Sequence, residues 1–187
     1  VRDTHADLGI AFDGDADRIG FTDEQGVPIR MDIITTLLAK ALLQKFPGWT
    51  ILYDLRSSRG VKEIIEGEGG IAHECMVWHA NIKKQMLEEE AIFAGELSGH
   101  YYFSFGGYIA EKGVLPAILL MNLMAQENKK LSVLVTDVSR YAHSGEINFE
   151  VKDTSPIMQK LKEKYQDGKL SLLDGIKISY SDWWFSL

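Results

Sequence analysis

The chain has very little cysteine, no basic run and no long apolar stretch. A single cysteine, Cys75, among 187 residues excludes an internal disulfide and is typical of a reducing compartment. The formal net charge of -7 argues against general nucleic-acid binding. The longest apolar stretch, residues 114–125, is too short to cross a bilayer and contains Pro116 and Asn122. We therefore expect a cytoplasmic protein without nucleic-acid or membrane partners.

The chain also lacks an initiator methionine, and residues 1–6 are too polar and mixed in charge for a secretory signal. An apolar strand pattern begins at Leu8, and residues 183–187 form an aromatic cluster within what resembles the middle of a strand. Such a cluster leaves apolar surface uncovered unless something else packs on it. We therefore expect the chain to be the interior of a longer protein whose other domains are its partners.

Strand and helix patterns alternate through the first three quarters of the chain. A hairpin is predicted over residues 7–30, with its turn at 23–26. Strands are expected at 51–53, 71–77, 92–94 and 101–103, and helices at 32–42, 61–65, 82–87, 114–126 and from 132. Strands that alternate with helices indicate a largely parallel sheet. We predict a three-layer α/β domain with a mixed, largely parallel sheet and helices on both faces.

The pattern changes after residue 145. Residues 147–151 alternate between apolar and polar side chains, which predicts a strand. Ser155 and Pro156 are typical of a helix start, and this helix is expected to continue to Tyr165. Asp174-Gly175 predicts a turn between two further strands. We therefore expect the α/β domain to be followed by the start of a small α+β domain.

Three aspartates, Asp13, Asp15 and Asp17, occupy every second position after an apolar stretch. Alternate side chains of an extended chain share one face, and the small residues between them let the backbone bend so that the carboxylates converge. Three close anions repel one another unless a cation lies among them, and Mg²⁺ favours carboxylate oxygen. Arg18 follows immediately and suits a phosphate. The loop therefore predicts a Mg²⁺ site beside a transferring phosphoryl group.

Three other interpretations fit part of this loop. The simplest is a solvated acidic turn with a solubilising arginine. A calcium EF-hand loop also begins with alternating aspartates and has Glu24 at its twelfth position, but it requires glycine where Arg18 stands and helices on both sides. An aspartyl-phosphate phosphatase would use Asp13 as the nucleophile and Asp15 to handle the proton. The EF-hand is disfavoured, and the phosphatase stays open as the alternative.

A second set of polar side chains, Glu96, Ser98 and His100, repeats the every-second-residue spacing after another strand. Gly95 and Gly99 between them allow close approach. A neighbouring carboxylate and hydroxyl can bind adjacent sugar hydroxyls, and an imidazole can move a proton near pH 7. The simpler interpretation is a polar loop with a core histidine. Together with the aspartates, the pattern favours a sugar-binding loop.

Cationic side chains stand at two further places. Arg56 and Arg59 flank two serines in a strand-to-helix loop, where they are suited to stabilising a phosphate or a leaving oxygen. The structural alternative is a helix start with hydroxyl caps and surface cations. His79 precedes a helix that carries Lys83, and a lone histidine there is more often structural.

The order and spacing of these motifs resemble those of the α-D-phosphohexomutases, the phosphomannomutase/phosphoglucomutase family. The resemblance rests on residues 13–18, 56–60, His79 with 82–84, and 95–103, and it extends over nearly the whole chain from Asp7. It implies three sets of site residues: Asp13, Asp15 and Asp17 as metal ligands, Arg18, Arg56, His79 and His100 as catalytic residues, and Lys83, Glu96, Ser98 and His100 as substrate-binding residues.

The resemblance also implies a function and its limits. The implied activity is a Mg²⁺-dependent phosphohexomutase that moves phosphate between O6 and O1 of glucose or mannose phosphates, through an enzyme phosphoserine and a bisphosphate. No phosphoserine loop is present in this chain, so we expect the chain alone to be inactive. A non-catalytic sugar-phosphate-binding module is a further alternative. Trp78 stands where the family usually has glycine, and Glu111 where relatives tend to carry aspartate.

Three segments follow from the resemblance. Residues 1–30 are expected to be the end of the metal-loop domain, and residues 31–141 the complete α/β sugar-recognition domain. Residues 142–187 are expected to begin the C-terminal phosphate-binding domain.

Overall fold

The hairpin that carries the three aspartates belongs to a three-stranded antiparallel sheet. In the computed structural model, which describes residues 1–187, the strands are β1 (Gly9–Phe12), β2 (Ile19–Thr22) and β3 (Pro28–Ile29). Phe12 pairs with Ile19, so the aspartates lie in the connection between β1 and β2. The carboxylate of Asp23 accepts from the backbone N–H groups of Gln25 and Val27, which fixes the turn between β2 and β3.

A five-stranded sheet follows in the chain. Its strands are β4 (Thr50–Asp54), β5 (Ile71–Cys75), β6 (Phe93–Gly95), β7 (Tyr101–Phe105) and β8 (Tyr108–Glu111), in the order β5-β4-β6-β7-β8. The first three strands in that order are mutually parallel, whereas β7 and β8 are antiparallel to their neighbours. The connections before β7 and β8 are too short for a parallel crossover, which needs about a dozen residues. The predicted mixed α/β sheet is confirmed.

Helices cover both faces of this sheet, as predicted. They are α1 (Met31–Leu43), α2 (Arg59–Gly67), α3 (His79–Glu88), α4 (Val114–Glu127) and α5 (Leu131–Val138). Side chains alternate along β4, so Ile51 and Tyr53 join one core with α1, α2, α4 and α5, while Leu52 joins another with α3. This division produces the three layers. None of the helices has the length and apolar character needed to cross a membrane.

The contacts divide the chain into two units, residues 1–141 and 142–187. The second unit contains helix α6 (Ser155–Lys164) and an antiparallel sheet of β9 (Lys169–Ser171), β10 (Lys177–Ser179) and β11 (Trp184–Ser186). The strand predicted at 147–151 is wrong, because this segment has no regular structure and pairs with no other strand. Alternating side chains form a strand only where a partner satisfies the backbone.

Candidate active site beside strand β6

The three aspartates lie in the connection between β1 and β2, which we call the Asp loop (residues 13–18). Ala16 adopts a left-handed backbone with φ 59° within this loop. Ligand atoms of Asp13, Asp15 and Asp17 lie within 4.8 Å of one another. The flanking elements are strands, which excludes the EF-hand interpretation because that motif requires helices on both sides.

Arg18 closes the Asp loop onto its first aspartate. The Nε of Arg18 donates to Asp13 Oδ2 at 2.6 Å, and the backbone N–H of Arg18 donates to Oδ1 at 3.2 Å. Burial acts to raise the pKa of the Asp13 carboxyl, but these hydrogen bonds outweigh it and the pKa lies below its usual value. Asp13 is therefore ionised at neutral pH.

The donor set of the Asp loop fits a hard divalent cation. Asp17 Oδ1 is buried without a hydrogen-bond partner and lies 3.8 Å from Arg18 Nε. An oxygen that lacks a donor, next to two more carboxylates, is the kind of ligand that Mg²⁺ takes from proteins. Asp15 is exposed, so the loop is open to solvent on one side.

The segment after β6, which we call the Glu96 loop (residues 96–100), is held by buried hydrogen bonds. Glu96 is only 4% exposed, and its Oε2 accepts from the Tyr102 hydroxyl at 2.9 Å. Its Oε1 accepts from the backbone N–H of Trp78 at 3.3 Å. Burial, reinforced by the charges of Glu96 and Glu111, raises the pKa of the Tyr102 hydroxyl. Tyr102 therefore stays protonated and continues to donate to Glu96.

His100 joins the two loops. Its Nδ1 lies 2.8 Å from Ser98 Oγ and 3.2 Å from Glu96 Oε2. Its Nε2 lies 3.4 Å from Asp17 Oδ2 and 3.8 Å from Glu111 Oε1. Carboxylates therefore lie on both sides of the imidazole.

The backbone connects the same two loops. The N–H of Ile19 donates to the Gly99 carbonyl at 3.1 Å, and Arg18 and His100 form an isolated antiparallel bridge. Gly99 has φ 91°, and a Cβ there would lie 2.8 Å from the Ile19 carbonyl oxygen. Only glycine permits this approach, so the position of the Asp loop depends on Gly99.

Asp54, at the end of β4, holds one of the predicted cations in place. Its Oδ1 accepts from the backbone N–H of Arg56 at 2.8 Å, and its Oδ2 accepts from Arg56 Nη2 at 2.7 Å. Oδ2 also accepts from the backbone N–H of Leu97 at 2.6 Å. One buried carboxylate thus fixes both Arg56 and the Glu96 loop.

Helix α2 begins in the same strand-to-helix loop, with Ser58 as its N-cap. The Ser58 hydroxyl accepts from the backbone N–H of Gly60 at 3.2 Å. Ser58 therefore fits the structural interpretation of this loop, and the functional role of Arg56 stays a prediction.

Helix α3 and strand β8 contribute the remaining charged groups. Lys83 Nζ donates to Glu111 Oε2 at 2.9 Å and lies 5.7 Å from the centre of the Tyr102 ring. The backbone of Trp78, just before α3, has φ 88° and ψ 125°. Glu111 and Tyr102 were not predicted as site residues, because an acidic residue and an aromatic residue in strands carry no local functional signature.

One cavity of about 530 Å³ brings these groups together. Seven predicted site residues line it, with four others: Asp17, Arg56, His79, Lys83, Glu96, Ser98 and His100, together with Val77, Trp78, Tyr102 and Glu111. Asp13, Asp15 and Arg18 are placed in the adjoining Asp loop. The cavity thus combines carboxylates, two cations and two histidines, which suits a phosphorylated polyhydroxyl ligand. The individual roles of these residues stay predictions.

Comparison with known proteins gives consistent matches along the chain. Residues 30–141 match the family model described as phosphoglucomutase/phosphomannomutase, alpha/beta/alpha domain III. A phosphomannomutase of Methanocaldococcus jannaschii is 49% identical over 187 residues, which are 100% of this chain and 41% of that protein. A phosphomannomutase of Escherichia coli K12 is 36% identical over 185 residues, covering 97% of this chain and 40% of that protein.

Solved structures show the same likeness. A phosphoglucomutase/phosphomannomutase family protein of Burkholderia thailandensis superposes with a TM-score of 0.84 at 28% identity. The superposition covers 98% of this chain and 40% of that one. The chain therefore spans about two fifths of the length of the relatives it matches.

Proposed function

Because this chain belongs to the phosphoglucomutase/phosphomannomutase family, we propose that it forms part of a Mg²⁺-dependent phosphohexomutase. The proposed substrates are hexose phosphates such as those of glucose and mannose. The observation that carries the proposal is the position of His100, whose Nε2 lies 3.4 Å from Asp17 of the Asp loop while its Nδ1 lies 2.8 Å from Ser98. Residues of the Asp loop and of the Glu96 loop therefore line one cavity.

Each loop has a separate task in this proposal. Asp13, Asp15 and Asp17 hold Mg²⁺, which when bound offsets negative charge on the transferring phosphoryl group. Arg18 binds the same phosphoryl group. Glu96 accepts hydrogen bonds from sugar hydroxyls, because its carboxylate oxygens keep lone pairs beyond those used by Tyr102 and the backbone.

The remaining cations and histidines complete the site. Arg56 and Lys83 stand on the cavity wall and bind the second phosphate of a bisphosphorylated sugar. His79 lines the same wall and donates to a phosphate or hydroxyl oxygen. Asp54 keeps the Arg56 guanidinium at a fixed place, so binding costs little reorganisation.

The proposed reaction uses a phosphoserine that lies outside this chain. A sugar hydroxyl oxygen forms a bond to phosphorus while the phosphorus–serine oxygen bond breaks. The hydroxyl proton passes to His100 Nε2, and the released serine oxygen takes up a proton from solvent. The resulting bisphosphate then changes its orientation in the cavity and returns its other phosphoryl group to serine. We expect the 187-residue chain by itself to have no mutase activity, because it holds no such serine loop.

The test uses the full-length protein that carries this chain. We expect conversion of glucose 1-phosphate or mannose 1-phosphate to the 6-phosphate, loss of activity with EDTA, and recovery with Mg²⁺. Asp17→Asn should lower kcat roughly 100-fold or more, because a metal ion contributes several kcal/mol to charge stabilisation. The matched control is Asp3→Asn, an exposed aspartate outside the Asp loop, which should leave kcat unchanged.

Three outcomes would contradict the proposal. Full activity after metal removal would exclude the role given to Mg²⁺. A covalent phosphate on Asp13, lost in Asp13→Asn, would favour the phosphatase alternative, because the mutase proposal forms no adduct there. Binding of hexose phosphate without any turnover by the full-length protein would favour a non-catalytic module.

A further inference from the structure

Trp78 has an unusual backbone for a bulky residue. Its φ is 88°. The other non-glycine residues with positive φ have values between 50° and 59°; they are His5, Ala16, Glu90 and Asn128. With ψ at 125°, Trp78 lies in a region that side-chain-bearing residues rarely adopt. Such a conformation costs conformational free energy and persists mainly at functional positions.

The backbone contacts of Trp78 do not explain its side chain. Its N–H donates to Glu96 Oε1 at 3.3 Å, and its carbonyl accepts from the N–H groups of Asn81 and Ile82 at 3.0 and 3.2 Å. Glycine would offer the same groups in this conformation without strain. The presence of an indole side chain at this position therefore needs a separate explanation.

Core packing does not supply that explanation either, because Trp78 is 68% exposed. Its ring meets the His79 ring edge to face at 6.3 Å, and both residues line the cavity. Most other lining side chains are charged or polar, among them Asp17, Arg56 and Glu96. Trp78 thus adds a solvent-accessible aromatic surface to a polar site.

We propose that Trp78 is a substrate-binding residue whose indole stacks on the C–H face of the hexose ring. This inference rests on the proposed function. A pyranose presents hydroxyls around its edge and C–H groups on its faces, and an aromatic face attracts positively polarised hydrogens. Glu96 and Ser98 then bind the hydroxyl edge while Trp78 covers a face. Stacking has little directionality, so it suits a ring held in two orientations for transfer at O1 and O6.

The experiment compares three substitutions in the full-length protein. We expect Trp78→Ala to raise KM for glucose 1-phosphate and mannose 1-phosphate roughly fivefold to tenfold, with kcat within about twofold. Trp78→Phe should keep KM within roughly twofold of the wild type, because it retains an aromatic face. Trp78→Gly should raise KM as Trp78→Ala does, but with a higher Tm than Trp78→Ala, because only glycine adopts this backbone without strain.

Two controls separate stacking from strain and from loss of an exposed tryptophan. Glu90→Gly relieves a left-handed backbone at the end of α3, at an exposed position, and should leave KM unchanged. Trp49→Ala removes another exposed indole, just before β4, and should also leave KM unchanged. Inhibition by inorganic phosphate should be the same in Trp78→Ala as in the wild type, because phosphate has no C–H face.

The outcomes are distinguishable. If Trp78→Ala keeps the wild-type KM, the stacking inference is wrong while the mutase proposal stands. The same holds if Trp78→Ala weakens inhibition by inorganic phosphate as much as it raises KM for the sugar phosphates. If the wild type neither binds nor converts either sugar phosphate by calorimetry and assay, the proposed function fails, and the inference fails with it.

Discussion

The Asp loop and the Glu96 loop both place polar side chains at every second position after a strand, yet they are stabilised differently. In the Asp loop the carboxylates face one another, and the one cation within residues 13–18 is Arg18, whose side chain is 53% exposed. In the Glu96 loop the leading carboxylate is 4% exposed and accepts hydrogen bonds from Tyr102 and Trp78. Similar spacing in the sequence therefore produces two kinds of site.

The difference indicates how each loop is prepared for its ligand. The polar groups of the Glu96 loop form hydrogen bonds within the protein. The geometry of this loop therefore exists before a ligand binds, and little reorganisation is needed. The Asp loop gathers three carboxylates, of which Arg18 pairs closely with Asp13, while Asp17 Oδ1 lacks a hydrogen-bond partner. Gly99 and His100 join the two, so the internally stabilised loop positions the other.

The largest expected effect comes from Asp54, which supports the Glu96 loop from within. Asp54→Asn should lower the free energy of unfolding by about 2–4 kcal/mol, because the side chain is buried and the N–H groups of Arg56 and Leu97 then share one remaining acceptor oxygen. It should also raise KM for the sugar phosphate, since Leu97 follows Glu96 directly. Urea unfolding and steady-state kinetics measure the two effects.

The matched control is Asp32→Asn. Asp32 is also buried, pairs with Arg30 at 2.9 Å and accepts from the Ser58 N–H at 3.1 Å. Its substitution should cost a similar free energy without changing KM. Equal changes in KM for both variants would show that Asp54 affects stability alone.

A smaller effect is expected where the two loops touch. Gly99→Ala would place a Cβ 2.8 Å from the Ile19 carbonyl oxygen at a φ of 91°. We expect a loss of about 2–3 kcal/mol in stability and weaker Mg²⁺ binding, because the Asp loop has to shift. Gly107→Ala is the control, since Gly107 has φ 93° with open space around it, and it should cost about 1 kcal/mol. Equal losses in urea unfolding would mean that the contact with Ile19 has no effect.

Local patterns were sufficient to predict much of the fold. Helix α1 and strand β4 carry periodic apolar side chains that depend on near neighbours in sequence, and both form where expected. The segment 147–151 carries a strand pattern as well, but pairing depends on a partner that the local sequence cannot specify. The antiparallel direction of β7 and β8 was not predicted, although it follows from the short connections before them.

The candidate site shows the same division. The Asp loop was recognisable because its three carboxylates are adjacent in sequence. Asp54 was not, because its partner Leu97 lies 43 residues away and the contact arises only when β4 and β6 pair. Glu111 was missed for the same reason, since its partner Lys83 lies 28 residues away. Tyr102 lies only 6 residues from its partner Glu96, but an aromatic residue in a strand carries no local functional signature.

The smallest expected effect tests whether Arg18 alone offsets charge within the Asp loop. The pKa of Asp13 lies below its ordinary value of 3.8, because hydrogen bonds from Arg18 outweigh the effect of burial. With the folded-state pKa lowered, ionised Asp13 stabilises the fold above roughly pH 4, and this contribution disappears as the pH falls through the folded-state value. Arg18→Gln should therefore raise the pKa of Asp13, as measured by carboxyl ¹³C NMR titration of the metal-free protein. The unfolding midpoint at pH 7 should stay nearly unchanged, because exposed ion pairs are screened by solvent.

The control is Arg2→Gln. Arg2 donates to the Gln25 carbonyl instead, so its substitution should leave the Asp13 titration unchanged. An Asp13 pKa that is the same in Arg18→Gln and the wild type would show that groups other than Arg18 keep this carboxylate ionised.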